Sequence, residues 1–281
     1  MPSSPMVPMN IPMLDLYSDY LMSSFSYTTA TGLSALLDNE ISHDKVTRFL
    51  SARSYTSKDL WKLVKPYVRS IETEDGSLIL DDTIEEKPYT DENKIVAWHF
   101  DHSKGRNVKG INILSGIYRN ENGAIPLAFE LVKKDVEYVD EATGQKRRRS
   151  SMNKNEYFRH IVQASMRNAV KFDRVLADIW FSAKDNMRYI VQNGKHFVFA
   201  VKENRLVSLS REDKQRGVFQ NLGPLPLQEN EALLCFFKGL DIPVLVIRNV
   251  FTNQDGSAGI LYAAASDTDL PGAGILEIYQ K

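Results

Sequence analysis

Residues 78–88 read Leu-Ile-Leu-Asp-Asp-Thr-Ile-Glu-Glu-Lys-Pro, a short apolar run that ends in two adjacent carboxylates. The run has the length of a buried strand, where an ionised carboxylate is costly unless it is paired or binds a metal. A second stretch, residues 174–181, has the same design, because Asp178 interrupts an otherwise apolar strand. Two such strands suggest a shared site for a hard divalent cation.

The two neighbouring acids, Asp81 and Asp82, cannot both face that site. Successive side chains on a strand point to opposite faces, so only one of them can be directed at Asp178. Either Asp82 is the ligand, or Asp81 is the ligand and Asp82 caps the following turn. Asp178 also has a purely structural alternative, as the acid of a turn or helix start.

The bulk composition is that of an ordinary globular protein. The 281 residues suit one large domain and a smaller one, and 43% of them are hydrophobic. The net charge is -1, so a nucleic-acid surface requires local clustering of the 35 Lys and Arg residues. The single cysteine, Cys235, excludes an intramolecular disulfide and is expected to be a small buried hydrophobe.

No membrane association is predicted. The sequence has no uninterrupted apolar run of about 18 residues, and its start lacks the basic region of a signal peptide. We therefore expect an intracellular, cytoplasmic protein.

The N-terminal part is predicted to be helical. Prolines favour a flexible arm over residues 1–13, and helical spacing of apolar residues follows over 14–75. Residues 31–53 are compatible with a helix-turn-helix, in which Lys45 and Arg48 reach DNA. The alternative is a small helical bundle with a solvated polar face.

The order of elements changes after Gly76. Residues 76–205 predict three strands, a helix, the second Asp strand, a helix and a further strand, with residues 95–118 counted as one long interrupted strand. This β-β-β-α-β-α-β order resembles the ribonuclease-H-like fold, an α/β fold with a mixed sheet and flanking helices. That fold carries its active carboxylates on the first and fourth strands, which are the two Asp strands here.

The remaining sequence predicts a β-rich insertion over residues 206–266 and the start of a final helix over 267–281. Two basic stretches are candidates for contacts with DNA phosphates: Lys104, Arg106 and Lys109, and then Lys146, Arg147 and Arg148. An exposed turn and a solvated loop are the respective alternatives. We expect His99 and His102 on the surface or facing DNA, and Trp98 and Trp180 in the core.

Three motifs of the chain resemble the DDE transposases of bacterial insertion sequences, in the branch with a β insertion. They are Asp81-Asp82-Thr83 with Lys87, Gly105 and Gly110, then Ala177-Asp178-Ile179-Trp180-Phe181, and last Glu277-Ile278-Tyr279-Gln280-Lys281. The resemblance covers nearly the whole chain from about Leu14.

The resemblance implies a function and a site. Asp82, which directly precedes Thr83, and Asp178 would be the catalytic metal ligands. The complete family site holds two Mg²⁺ (or Mn²⁺) ions on two Asp and one Glu, and it cuts DNA and joins it to a target. The implied partners are the terminal inverted repeats of the element and target DNA, with a homo-oligomer on DNA as an option.

The last motif departs from the family pattern, which is Tyr, two residues, Arg, three residues, Glu, six residues and Lys. Tyr279 fits the Tyr, but the Arg and the Glu would fall after Lys281, so we expect a chain truncated before its third catalytic carboxylate. Such a chain keeps the fold and some DNA binding with little or no strand transfer. The alternatives are an inhibitor that binds DNA or full-length transposase, a related nuclease whose third acid lies elsewhere, and a vestigial product.

Overall fold

The computed structural model describes residues 10–25, 27–229, 231–253 and 255–280. Most of the predicted arm over residues 1–13 therefore lies outside the described residues, and Ile11 already belongs to a helix. The chain divides into two compact units, Met1–Thr56 and Ser57–Lys281.

The first unit contains helices held by short polar caps. They are α1 (Ile11–Ser23), α2 (Ala30–Leu36) and α3 (His43–Ser51). The side chain of Ser42 accepts a hydrogen bond from the backbone of Lys45 at 3.3 Å, which caps α3 as an N-cap serine should. The core of this unit is formed by Tyr20, Leu33 and Val46. The tight reversal between α2 and α3 therefore rests on apolar packing from all three helices.

The second unit begins with α4 (Ser57–Ile71), which packs against the sheet. The elements up to the second Asp are β1 (Ser77–Glu86), β2 (Ala97–Asp101), β3 (Arg106–Asn120), β4 (Gly123–Leu131), β5 (Val136–Val139), β6 (Lys146–Arg149), α5 (Lys154–Arg167) and β7 (Arg174–Ala177). A single turn of 3-10 helix, Ile179–Phe181, follows Asp178.

The rest of the second unit continues the alternation of strands and helices. Its elements are α6 (Lys184–Gln192), β8 (His196–Val201), β9 (Leu206–Ser208), α7 (Arg211–Gln215), β10 (Gln220–Asn221), β11 (Leu233–Phe237), β12 (Pro243–Thr252), β13 (Ala258–Ala265) and α8 (Gly272–Gln280).

One large mixed sheet organises this unit. Among the described residues, eleven strands pair in the order β10-β9-β11-β12-β13-β8-β7-β1-β3-β2, and β4 also pairs with β3. Strand β3 is antiparallel to β1, whereas β7 and β8 follow β1 in parallel. The central order β4-β3-β1-β7-β8 is consistent with the predicted ribonuclease-H-like fold. The segment predicted as a β insertion extends the same sheet beyond β8.

The prediction of one interrupted strand over residues 95–118 is wrong. The segment forms two antiparallel strands, β2 and β3, joined by a turn. Gly105 adopts a positive φ of 62° in that turn, and Asp101 Oδ1 accepts a hydrogen bond from the backbone of Ser103 at 3.0 Å. The polar residues between the strands therefore reverse the chain instead of interrupting it.

The two faces of the sheet bury different sets of side chains. Leu78 and Leu80 of β1 face a core that includes Phe158 of α5. Ile79 lies on the opposite face, where Leu176 of β7 packs with Ile275 of α8. Alternation along β1 therefore assigns its acids to opposite sides of the sheet. None of the helices in the described ranges has the length and apolar character needed to cross a bilayer.

Candidate active site

The register between β1 and β7 brings Asp81 next to Asp178. The two parallel strands pair up to Leu80 opposite Ala177, so the following residue on each strand is an acid. Asp81 shares its face with Ile79, and Asp178 shares its face with Leu176. Because Ile79 and Leu176 lie in the same core cluster, Asp81 and Asp178 lie on one side of the sheet.

Asp82 points to the other face, where it is held by polar partners. Lys154 at the start of α5 places its Nζ 2.6 Å from Asp82 Oδ2, and Asn112 Nδ2 donates to the same oxygen at 2.8 Å. The Asp82 side chain is only 14% exposed, so this ion pair is screened less than a surface pair. An ammonium and an amide thus fix the position of the Asp82 carboxylate.

Asp178 lies in an electrostatic environment that opposes its ionisation. Burial raises the pKa of Asp178 to about 6, and the charges of Asp81 and Asp82 add to the rise. The backbone N–H of Trp180 donates to Asp178 Oδ1 at 3.0 Å, which lowers the pKa but does not offset the burial. Burial also raises the pKa of Asp81. Clustered carboxylates of this kind are stabilised by a bound cation.

All three acids line one cleft. Its other walls come from the β2–β3 turn and the 3-10 turn, with Phe100, His102, Lys104 and Trp180 among the lining residues. His102 stacks on Trp180 with a centroid distance of 3.7 Å. The cleft therefore combines carboxylates with an aromatic wall at the end of the central strands.

The predicted positions of the tryptophans and of one histidine are wrong. Trp98 is 51% exposed in β2 at the edge of the sheet, and Trp180 is 44% exposed in the 3-10 turn after Asp178; neither belongs to a core cluster. His99 is buried at 6% exposure, since its side chain faces inward from β2. Burial, with the charges of Lys134 and Lys154, lowers the pKa of His99 to about 4.

Four of the basic side chains that were predicted to contact DNA in the second unit lie close to carboxylates. Lys104 pairs with Glu86, Arg106 lies 3.6 Å from the same acid, Arg147 lies 3.2 Å from Asp140, and Arg148 pairs with Glu137. The solvated-loop alternative for residues 146–148 is replaced by a β5–β6 hairpin, since pairing with residues 136–139 satisfies the backbone. Lys109 lies in β3 opposite Trp98.

In the first unit, Lys45 and Arg48 are exposed on α3, with Val46 and Phe49 facing its core.

The final helix packs next to the acids. Burial raises the pKa of Tyr279 in α8 to about 12, and the charges of Asp178 and Asp81 contribute. Tyr279 also packs against the apolar cluster that contains Leu176. Helix α8 therefore lies on the same side of the sheet as Asp81 and Asp178, where the family resemblance places its last motif.

The donor chemistry fits a hard divalent cation. Within the described residues, no group of three or more His, Cys, Asp or Glu side chains is arranged to hold a metal. Mg²⁺ keeps several waters and is commonly bound through one or two carboxylates plus substrate phosphates. Asp178 and a carboxylate of β1 meet that requirement, so these residues are compatible with Mg²⁺ or Mn²⁺.

The mixed sheet and the paired acids at the end of its central strands are consistent with the ribonuclease-H-like fold. The family model described as DDE superfamily endonuclease matches residues 12–217, which is most of the chain. The chain belongs to the DDE superfamily of endonucleases. This family consists of nucleases that act on DNA and generally use divalent metal ions. No curated protein gives a significant match to the chain.

Proposed function

We propose that this protein is an insertion-sequence transposase that binds element ends and carries out Mg²⁺-dependent DNA cleavage and strand transfer. The register of β1 against β7 carries this proposal, because it brings Asp81 and Asp178 to one face of a shared cleft. The family match to DDE endonucleases supports the same chemistry. DNA of the element ends and of the target is the proposed substrate, and a homo-oligomer on DNA is part of the proposal.

Asp178 and one acid of β1 are the proposed metal ligands. The family motif predicts Asp82, whereas strand alternation gives Asp81 the face that Asp178 occupies. A divalent ion bound there would activate a water or 3′-hydroxyl and offset charge on the leaving oxygen. Lys154 forms an ion pair with Asp82, and the stacked His102 and Trp180 form the wall against which a DNA strand would rest.

The first unit is the proposed reader of the element ends. Its α3 exposes Lys45 and Arg48 beside its buried Val46 and Phe49, so both basic side chains are accessible to DNA. Binding of DNA in the bacterial nucleoid would place the protein in the cytoplasm.

The alternative function is a non-catalytic transposase that binds DNA or a full-length copy as an inhibitor. The ion pair between Lys154 and Asp82 favours it, because an ammonium already neutralises one acid of the cleft.

Metal-dependent thermal unfolding tests the site directly. Mn²⁺ should raise the melting temperature of the wild-type chain, and Asp178→Asn should abolish that rise. Asp91→Asn, which removes an exposed acid outside the cleft, is the matched control. An equal rise in Asp178→Asn would contradict the proposed ligand.

Nicking of a supercoiled plasmid separates the functional alternatives. Nicking that requires Mg²⁺ or Mn²⁺ and is lost in Asp178→Asn supports the transposase, and comparison of Asp81→Asn with Asp82→Asn identifies the second ligand. DNA binding with no nicking at any metal concentration supports the inhibitor. Efficient strand transfer by this chain would overturn the inhibitor alternative.

A further inference from the structure

A trough next to the acid cleft carries only positive charge. Its walls come from the start of α6, the β8–β9 connection and the turn after β11, and Trp180 lines both the trough and the acid cleft. The charged residues are Lys184, Lys202, Arg205 and Lys238. No carboxylate lines this cationic trough in the described part of the chain.

Aromatic rings hold three of these cations in place. The contacts are Lys202 Nζ at 4.7 Å from the Trp180 centroid, Arg205 Cζ at 5.3 Å from Phe237, and Lys238 Nζ at 5.6 Å from Phe219. A ring face attracts a cation without cancelling its charge. The three charges are therefore positioned and remain available to an anion.

Arg205 gives the clearest sign of an anionic ligand. Its guanidinium donates to the carbonyl and to the hydroxyl of Ser182, both of which are uncharged acceptors. Arg205 is partly buried, and no acid of the described residues forms an ion pair with it. Because a desolvated cation without a counter-charge is costly, an anion entering the trough would stabilise it.

The acids adjacent in sequence are directed elsewhere. Asp185 lies 3.3 Å from Arg188, and the side chain of Glu203 packs against Gly223. No side chain caps the N-terminus of α6, which opens into the trough beside Lys184. The positive potential of the trough is therefore not offset locally.

We propose that the cationic trough binds the phosphodiester backbone of DNA on the side of Trp180 that faces away from the acid cleft. This proposal rests on the proposed function and extends it, since it names the surface that presents a DNA strand to Asp178. Contacts to phosphates by Lys and Arg are independent of base sequence and sensitive to salt. The trough differs from the β2–β3 turn and the β5–β6 hairpin, where carboxylates pair with the cations.

The salt dependence of DNA binding tests the trough. Affinity for a labelled duplex of arbitrary sequence is measured by fluorescence anisotropy in EDTA, between about 50 and about 200 mM NaCl. Each trough lysine is expected to make about one phosphate contact. The double variant Lys202→Gln/Lys238→Gln should therefore reduce the slope of log K against log[salt] by about 2 and weaken binding at least tenfold. The matched control is Lys65→Gln. Lys65 is an exposed lysine on α4, which packs against β4, whereas the trough lies near β8, β9 and β11.

Each outcome decides the proposal. A double variant that melts like wild type and keeps its slope and affinity overturns it, and so does a wild-type chain that binds no DNA. Arg148→Gln should change the slope less than either trough lysine, because Glu137 already neutralises Arg148. Binding in EDTA requires no catalysis, so a failed nicking assay does not contradict DNA binding by the trough. Likewise, an unchanged salt slope contradicts the trough proposal but does not affect the result of the nicking assay.

Discussion

Asp178→Asn should stabilise the metal-free protein at neutral pH. The pKa of Asp178 is raised from 3.8 to about 6, chiefly by burial. An acid with a raised pKa in the folded state costs stability above that pKa, and the cost falls as the pH drops through 6 towards 4. At about 1.4 kcal/mol per pKa unit, ionised Asp178 costs about 3 kcal/mol at about pH 7.5 and about half of that at about pH 5.

The asparagine keeps the local structure while it removes the charge. Its side-chain oxygen can still accept the hydrogen bond that Trp180 donates to Asp178 Oδ1. We therefore expect a gain in the free energy of unfolding of about 3 kcal/mol at about pH 7.5, which shrinks at lower pH. The measurement is urea denaturation in EDTA at both pH values.

Asp91→Asn again serves as the control, and it should change the free energy of unfolding by no more than about 0.5 kcal/mol. A loss of stability in Asp178→Asn would refute the argument. So would a gain of the same size at both pH values, because the cost would then not come from ionisation.

Three further predictions concern the core and the cysteine. Phe158→Ala should cost about 3–5 kcal/mol in urea denaturation, because the ring is fully buried between Phe181 and Phe199. Gly110→Ala should lower the free energy of unfolding by about 1–3 kcal/mol, and with it the melting temperature, because the added Cβ would overlap the carbonyl oxygen of Glu85. The only cysteine, Cys235, is buried with a pKa raised to about 12, so a thiol reagent should modify the native protein much more slowly than the urea-unfolded protein.

These three predictions have clear contrary outcomes. Tyr89→Ala removes a ring that is 96% exposed, and a loss similar to that of Phe158→Ala would show that burial does not set the cost. An unchanged melting temperature in Gly110→Ala would mean that β1 and β3 can separate to admit a methyl group. Equal thiol reactivity in native and unfolded protein would place Cys235 at the surface.

The sequence was informative where periodicity and burial agree. The apolar run at residues 78–80 and the run before Asp178 predicted β1 and β7. The choice between Asp81 and Asp82 stays a prediction, because the motif and the strand alternation point to different residues.

Other features depend on tertiary context that spacing does not carry. Trp98 and Trp180 are large aromatic residues, yet Trp98 lies in the edge strand β2 and Trp180 in the 3-10 turn beside the cleft, so both are exposed. The four cations of the trough come from segments up to 54 residues apart, Lys184 to Lys238, and no local pattern unites them. Only the folded sheet brings them together.

The pairing of β13 with β8 has a consequence for folding while the chain is being synthesised. Residues 202–257 are made between these two strands, and β9 pairs with β11 at a distance from β8. Until β13 has left the ribosome, the apolar β8 (His196–Val201) has a partner on its β7 side only. An open, hydrophobic strand edge attracts other chains. Nascent protein paused within this interval should therefore be the form that chaperones bind and that aggregates most readily.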